Sequence, residues 1–306
     1  GTGIEDWISR ETLGDGKSGP CPGPIVGTMG LPTQQYNAQI RPLMNMTIKG
    51  VIWYQGESNK GQNELYSCRF GRLMSEWRRQ WSIGTGGGTD AEFPFGIVQV
   101  GPSSEPNSPV PSAATFLIRM GQTAGYGYAP NIVWPKVFMA TALDLANPPG
   151  TKCFMGCVHI FNKQAVAHRL VLAARSVVYG EMSLVYSGPR VEHVRFGGGS
   201  VTLTYGVGTE GKGLALRSGY GFEVCGADCN ATASDPAVWR PAAVAASTRN
   251  TITITSPGFS SSNTIGAVRY AFDEMPSLFY GTQLAVYNGE GLPATPGVYF
   301  REKLGA

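Results

Sequence analysis

Ile48-Lys49-Gly50-Val51-Ile52-Trp53-Tyr54-Gln55-Gly56-Glu57-Ser58-Asn59 is the stretch on which the fold turns. An apolar run that stops in a turn crowded with hydrogen-bonding side chains reads as a buried strand. Such a strand delivers polar groups to the carboxyl edge of a sheet, where open α/β folds build their sites. The same reading extends outward from it. Thr47 to Tyr54 is expected as a strand, followed by a helix from about Leu65 to Trp81. Phe70, Leu73, Met74, Trp77 and Trp81 lie on one stripe of that helix, with Arg72, Glu76, Arg78 and Arg79 mostly off it. Strands are expected at Phe95 to Val100 and Val137 to Leu143, with a short helix around Ala114 to Ala124 between them. A last helix runs from Lys163 to Gly180, carries Val166, Leu170, Ala174 and Val177 at helical spacing, and has Asn162 as N-cap. Strands separated by helices imply parallel pairing.

Past Gly180 the texture changes. Ser200 to Tyr205 and Thr251 to Thr255 alternate β-branched and polar residues between turns rich in Gly, Ser, Pro and Asn, a pattern of antiparallel strands that suggests a β-sandwich. The expected organisation is an α/β domain over 1–183 and a β domain over 184–306. Gly84 to Gly88 and the Pro/Ser-rich stretch 101–112 read as surface loops.

Only 15% of the 306 residues are charged and the net charge is +3, with no basic stripe that would suit nucleic acid. No apolar stretch approaches the ~20 residues a bilayer span needs. Cys153/Cys157 and Cys225/Cys229 are close in sequence, which leaves Cys21 and Cys68 to pair across a longer loop. Three disulfides and an oxidising compartment are the favoured reading, and zinc is the rival. Two glycosylation sequons, at Asn45 and Asn230, agree with a secreted or lysosomal protein.

Gln55 at a strand end can donate its amide to a developing oxyanion, or it can tie the turn together. Glu57 can orient a base, contact substrate or satisfy backbone N–H groups. Of the three histidines, His159 falls in a loop ahead of a helix and is the candidate base, whereas His168 sits within the helix and His193 in the β half. The chain has no Gly-x-Ser-x-Gly elbow and no Gly-Asp-Ser, and nothing beyond its place in the motif marks Ser58 as a nucleophile.

These pieces resemble the sialate O-acetylesterase family of the SGNH hydrolase superfamily. The resemblance rests on Gly1-Thr2-Gly3-Ile4-Glu5-Asp6-Trp7, on Asn45 through Asn59, and on Phe93-Pro94-Phe95-Gly96. Met139-Ala140 with Asp144-Leu145, His159 with Lys163-Gln164, and Arg269-Tyr270-Ala271 follow in family order. It implies an SGNH, flavodoxin-like three-layer parallel sheet, incomplete in this chain, followed by the sandwich-like domain. It also implies a cofactor-free, metal-free serine esterase that removes O-acetyl groups from sialic acids. In that family the nucleophilic serine lies in a Gly-Gln-Ser-Asn segment ahead of the motif that holds Gly1. The serine is therefore expected on a separate N-terminal small subunit. His159 would be the general base, Gln55 and the Gly1 N–H the oxyanion donors, and Glu57 and Asn59 contacts to substrate. Gly156 stands where many of these enzymes have an aspartate before the histidine, and Ile160 where a proline often follows. The imidazole must then be oriented by a backbone carbonyl or by a more distant acid, for which Asp144 is the candidate. Those departures leave two alternatives: an inactive scaffold that binds carbohydrate or serves a structural role, and an acetylesterase for another glycan.

Overall fold

A computed structural model describes the chain apart from residues 26–30, 103–112, 149, 154–155, 207, 228, 230–237, 274–283 and 302–306. The Asn230 sequon and most of the 101–112 loop lie outside the described residues. Two compact units are present. One comprises Gly1–Val100, Leu117–Ala142 and Gln164–Met182, and the other Gly101–Phe116, Leu143–Lys163 and Ser183–Ala306.

In the first unit, β1 (Val51–Trp53), β2 (Phe95–Gln99) and β3 (Val137–Thr141) form a parallel sheet in the order β1-β2-β3. β1 is shorter than the Thr47–Tyr54 the sequence suggests. Its register pairs Val51 with Phe95, so Pro94, which has no N–H to offer a ladder, faces Gly50 and ends the pairing there. The short helix α1 (Arg10–Leu13) is capped by Ser9, whose hydroxyl accepts from the Thr12 N–H. Helix α2 (Asn63–Gly84) buries the expected stripe of Phe70, Leu73, Met74, Trp77 and Trp81, and Tyr66 with it. These side chains pack on Trp53, Phe93 and Phe95. The Trp77 ring meets Trp53 edge-on at 5.7 Å, and Phe70 meets Phe95 edge-on at 6.1 Å. Glu76 is a departure from the sequence pattern: it is buried on α2 and accepts from the Ser9 N–H at 3.1 Å.

Helix α3 (Ala113–Gly121) stops short of the expected Ala124, which takes a positive φ of 53°. Helix α4 (Lys163–Val177) buries Val166, Leu170 and Ala173, and its buried Arg169 donates to the Thr141 carbonyl at the end of β3 at 2.6 Å. The disulfide Cys21–Cys68 fastens the segment after α1 to α2, with Cα atoms 5.9 Å apart. Among the described residues no helix is long and apolar enough to cross a membrane.

In the second unit, β4 (Val191–Phe196), β5 (Ser200–Tyr205), β7 (Phe222–Gly226), β8 (Arg240–Ser247), β9 (Thr251–Thr255), β10 (Ile265–Tyr270) and β12 (Gly297–Phe300) form one antiparallel sheet. Their order is β12-β10-β7-β8-β9-β5-β4. β6 (Leu214–Leu216) and β11 (Val286–Asn288) make a separate ribbon. The antiparallel character is as expected, but a single strand joins what a sandwich would keep apart. β8 pairs with β7 through Arg240–Ala242 and with β9 from Ala243 onward, with a bulge between Val244 and Ala246. A strand that changes partners at a bulge turns a corner. Val201, Leu203, Ile252 and Ile254 from one arm thus share a core with Phe222, Val224, Val268 and Tyr270 from the other. Cys225–Cys229 and Cys153–Cys157 close the other two disulfides, so no cysteine thiolate is left for the zinc alternative.

Gly96 sits in the middle of β2, where a Cβ would run into the Phe138 ring on β3. Gly96→Ala is expected to destabilise the first unit by about 1–3 kcal/mol, the usual cost of overpacking. Urea unfolding followed by tryptophan fluorescence reads this directly. An unchanged midpoint would mean the ring is not fixed as described.

Candidate active site

The turn after β1 is held from below. Gly56 takes φ +152°, and a Cβ there would press on Val100 at 3.0 Å, so the chain reverses closely over β2. Gln122, buried at the end of α3, donates its amide to the carbonyls of Gln55 and Val98, each at 2.9 Å. It accepts from the Val100 N–H at 3.0 Å. One side chain therefore ties the turn, β2 and α3 together.

Gln55 is half-buried. Its amide nitrogen donates to the Thr2 carbonyl at 3.0 Å and to Asn59 Oδ1 at 2.8 Å. Its Oε1 accepts from the Tyr66 hydroxyl at 3.0 Å. Burial, before any other cause, pushes the Tyr66 hydroxyl well above its ordinary pKa and keeps it a donor. Tyr66 in turn accepts from the Trp53 indole at 3.1 Å. On the far side, Asn59 Nδ2 donates to both oxygens of Glu5, at 3.1 and 2.9 Å. Its Oδ1 also accepts from the Ile4 N–H at 2.9 Å. Glu5 pairs with Arg69 through Nη1, which also donates to the Pro24 carbonyl at 2.9 Å, while Nη2 donates to the Gly23 carbonyl at 3.0 Å. Glu5, Asn59 and Arg69 are each at most 1% exposed.

Asn59, expected against substrate, is thus a buried support with its amide engaged inside the protein. Glu57 is half-buried beside Tyr54, whose hydroxyl is raised above its ordinary pKa by burial first and by the Glu57 charge second. Gly1 is exposed, and a Cβ on it would sit 3.2 Å from Ser58 Oγ, so the first residue lies against the turn.

Asp144 and His159 belong to the second unit. Asp144 accepts from the Tyr287 hydroxyl at 3.2 Å, and burial together with the Asp144 charge raises that hydroxyl's pKa. The His159 loop is shaped by buried Asn147, which donates to the His159 carbonyl at 3.2 Å and accepts from the Phe161 N–H at 2.8 Å. His159 is exposed, and among the described residues its imidazole has no hydrogen-bond partner. Asn45 is exposed in the turn before β1.

Tyr66, Arg69, Gln122 and Asn147 escape sequence reasoning. Arg69 carries the one available signal: a charge one residue from Phe70, on the edge of the apolar stripe of α2. The others are polar residues whose partners are distant in sequence.

A solved carbohydrate acetylesterase from Xanthomonas citri is similar to this chain in structure. That structure matches with TM-score 0.71 and 29% identity over 97% of this chain and 58% of its own. This chain shares the fold of that esterase over nearly its whole length. Residues 193–301 match the model of the sialate O-acetylesterase C-terminal domain. Human sialate O-acetylesterase is 36% identical over 308 residues, covering 98% of this chain and 55% of its own length. The mouse protein is 35% identical over 331 residues, covering 97% of this chain and 58% of its own length. The chain belongs to the sialate O-acetylesterase family. It spans about half the length of the curated relatives it matches.

Arg69→Leu leaves Glu5 charged, buried and unpaired. Removing one partner of such a pair costs about 3–5 kcal/mol. The variant should lose most of its cooperative thermal unfolding transition. A melting temperature within a degree or two of the parent would show that Glu5 does not depend on Arg69.

Proposed function

We propose that this chain is the larger part of a serine esterase that removes O-acetyl groups from sialic acids, its nucleophilic serine being supplied by a separate N-terminal polypeptide. The observation that carries the reading is the match to sialate O-acetylesterases along nearly the whole chain, through the segments that hold Gly1, Gln55 and His159.

In this reading His159 takes the proton of the serine as it attacks the acetyl carbonyl and returns it to the departing sugar oxygen. Water, giving its proton to His159, then attacks the acetyl-serine, and the proton returns to the serine oxygen as acetate leaves. Asp144 is the proposed orienting acid. The Gly1 N–H and Gln55 are the proposed oxyanion donors, and Glu57 the proposed substrate contact. Asn59 is better suited to hold Gln55 than to touch the sugar. One N–H of Gln55 is committed to buried Asn59, and the other rests on the neutral Thr2 carbonyl. An oxyanion is a stronger acceptor than a carbonyl, so that second N–H can exchange onto the charge as it develops. An interaction gained in the transition state lowers the barrier.

The partner polypeptide has its own support in the first unit. Among the described residues β1 pairs only with β2, and Ile52 on β1 is 65% exposed. Parallel strands are ordinarily paired on both sides and covered on both faces. A strand from the serine-bearing polypeptide beside β1, with its own layer above, would bury Ile52. The three disulfides support passage through the secretory pathway, to a secreted or lysosomal destination with glycans at Asn45 and Asn230.

Gly156, where many of these enzymes have an aspartate ahead of the histidine, favours a second reading, a scaffold that binds acetylated glycans without cleaving them. An acetylesterase for a different glycan would share the chemistry of the first. Hydrolysis of 4-nitrophenyl acetate by the complete protein separates catalysis from binding. His159→Ala is expected to lower kcat by about 100-fold or more, within the usual contribution of a general base, with the melting temperature unchanged. Near-parental kcat would remove His159 from the mechanism. Ile52→Asp should abolish co-purification of the serine-bearing polypeptide with this chain. Undiminished co-purification would rule out the β1 edge as its seat.

A further inference from the structure

An amide can sit in its place two ways round, and only one of them turns the Gln55 nitrogen toward Thr2. The reverse would set Oε1 against the Thr2 carbonyl and Asn59 Oδ1, three acceptors together, and bring the nitrogen to the Tyr66 hydroxyl. What fixes the sense lies at the two ends of the hydrogen-bonded chain. The Trp53 indole N–H can only donate, and it donates to the Tyr66 oxygen. The single hydroxyl proton of Tyr66 is then free to go only to Gln55, where Oε1 stands at 3.0 Å and the backbone carbonyl at 3.2 Å. At the other end the Arg69 guanidinium can only donate and the Glu5 carboxylate can only accept. Asn59 must present Nδ2 to Glu5, which turns its Oδ1 to the Ile4 N–H and to Gln55. The Arg69 end therefore requires the Gln55 nitrogen to face Asn59 and Thr2, and the Tyr66 end agrees with it, Oε1 being the nearer of the two acceptors for the Tyr66 proton.

We infer that Trp53–Tyr66 on one side and Arg69–Glu5–Asn59 on the other are positioning residues that lock the Gln55 amide with its N–H outward. The inference rests on the esterase reading for its consequence, since an outward N–H meets a developing oxyanion and an outward carbonyl would repel it. It also accounts for a charged pair held entirely inside the first unit. The pair contributes little net stability by being buried, but it imposes a direction on the Asn59 and Gln55 amides.

Tyr66→Phe is the sharpest test, because it keeps the ring and removes the one O–H that holds Gln55 Oε1. In the complete enzyme kcat for 4-nitrophenyl acetate should fall about 10-fold, the worth of one lost hydrogen bond, with KM little changed. In a Gln55→Ala background the same substitution should change kcat by less than about twofold, since residues acting through one another are not additive. In protein labelled with 15N-glutamine, the Gln55 side-chain N–H signals should be protected from solvent exchange and lose that protection in Tyr66→Phe. Trp53→Phe, which frees the Tyr66 proton, serves as a second variant if the first does not fold. Equal losses of kcat in both backgrounds, or an unaltered Gln55 amide in the variants, would overturn the inference. Full activity of Gln55→Ala alone would instead sink the oxyanion role of Gln55, while the labelled amide would still decide its orientation.

Discussion

The ion pair of Arg69 and Glu5 is the constraint on which the first unit is built. Two opposite charges at most 1% exposed persist only if most of their donors and acceptors are met. Here the carbonyls of Gly23 and Pro24 accept from the guanidinium and Asn59 fills both oxygens of Glu5, while the Arg69 Nε–H has no acceptor among the described residues. Three stretches distant in sequence are thereby brought to one point: the first residues of the chain, the loop stapled by Cys21–Cys68, and the turn after β1. The site turn inherits its rigidity from this pair, and the pair has no other evident reason to be so deep.

The apolar packing around it does complementary work. Trp53, Phe70, Trp77 and Phe95 meet edge-on or stacked at 5.7 to 6.1 Å, filling the layer between α2 and the sheet. That packing contributes the bulk of the burial but leaves the direction of the hydrogen bonds unspecified. Trp53 belongs to both systems, its ring in the core and its N–H on Tyr66. A family whose proposed reaction depends on a donor aimed at a developing charge gains from having that donor set by buried groups, where water cannot compete.

The second unit is organised differently. Its stability comes from alternation along the strands and from β8, which serves two neighbours in turn. Its polar features of interest lie in the loops it claims from the middle of the chain, where Asn147 shapes the backbone around His159 and Tyr287 donates to Asp144.

Local sequence was enough for the elements with strong period. The stripe on α2, the cores of β2 and β3, the alternating β5 and β9 and the use of all six cysteines in disulfides were legible. Apolar spacing and short sequence separations are properties of the chain itself. The motif segments were likewise enough to identify the family. What only the tertiary structure decided was the fate of polar residues. Asn59 was expected against substrate and is a buried strut, Glu76 was read as off the apolar stripe and is interior, Arg69 went unread and is interior as well, and β1 ends where Pro94 faces it. The physical reason is the same in each case. A hydrogen bond or an ion pair is defined by a partner, and here those partners lie as many as 67 residues away, at distances no local pattern encodes.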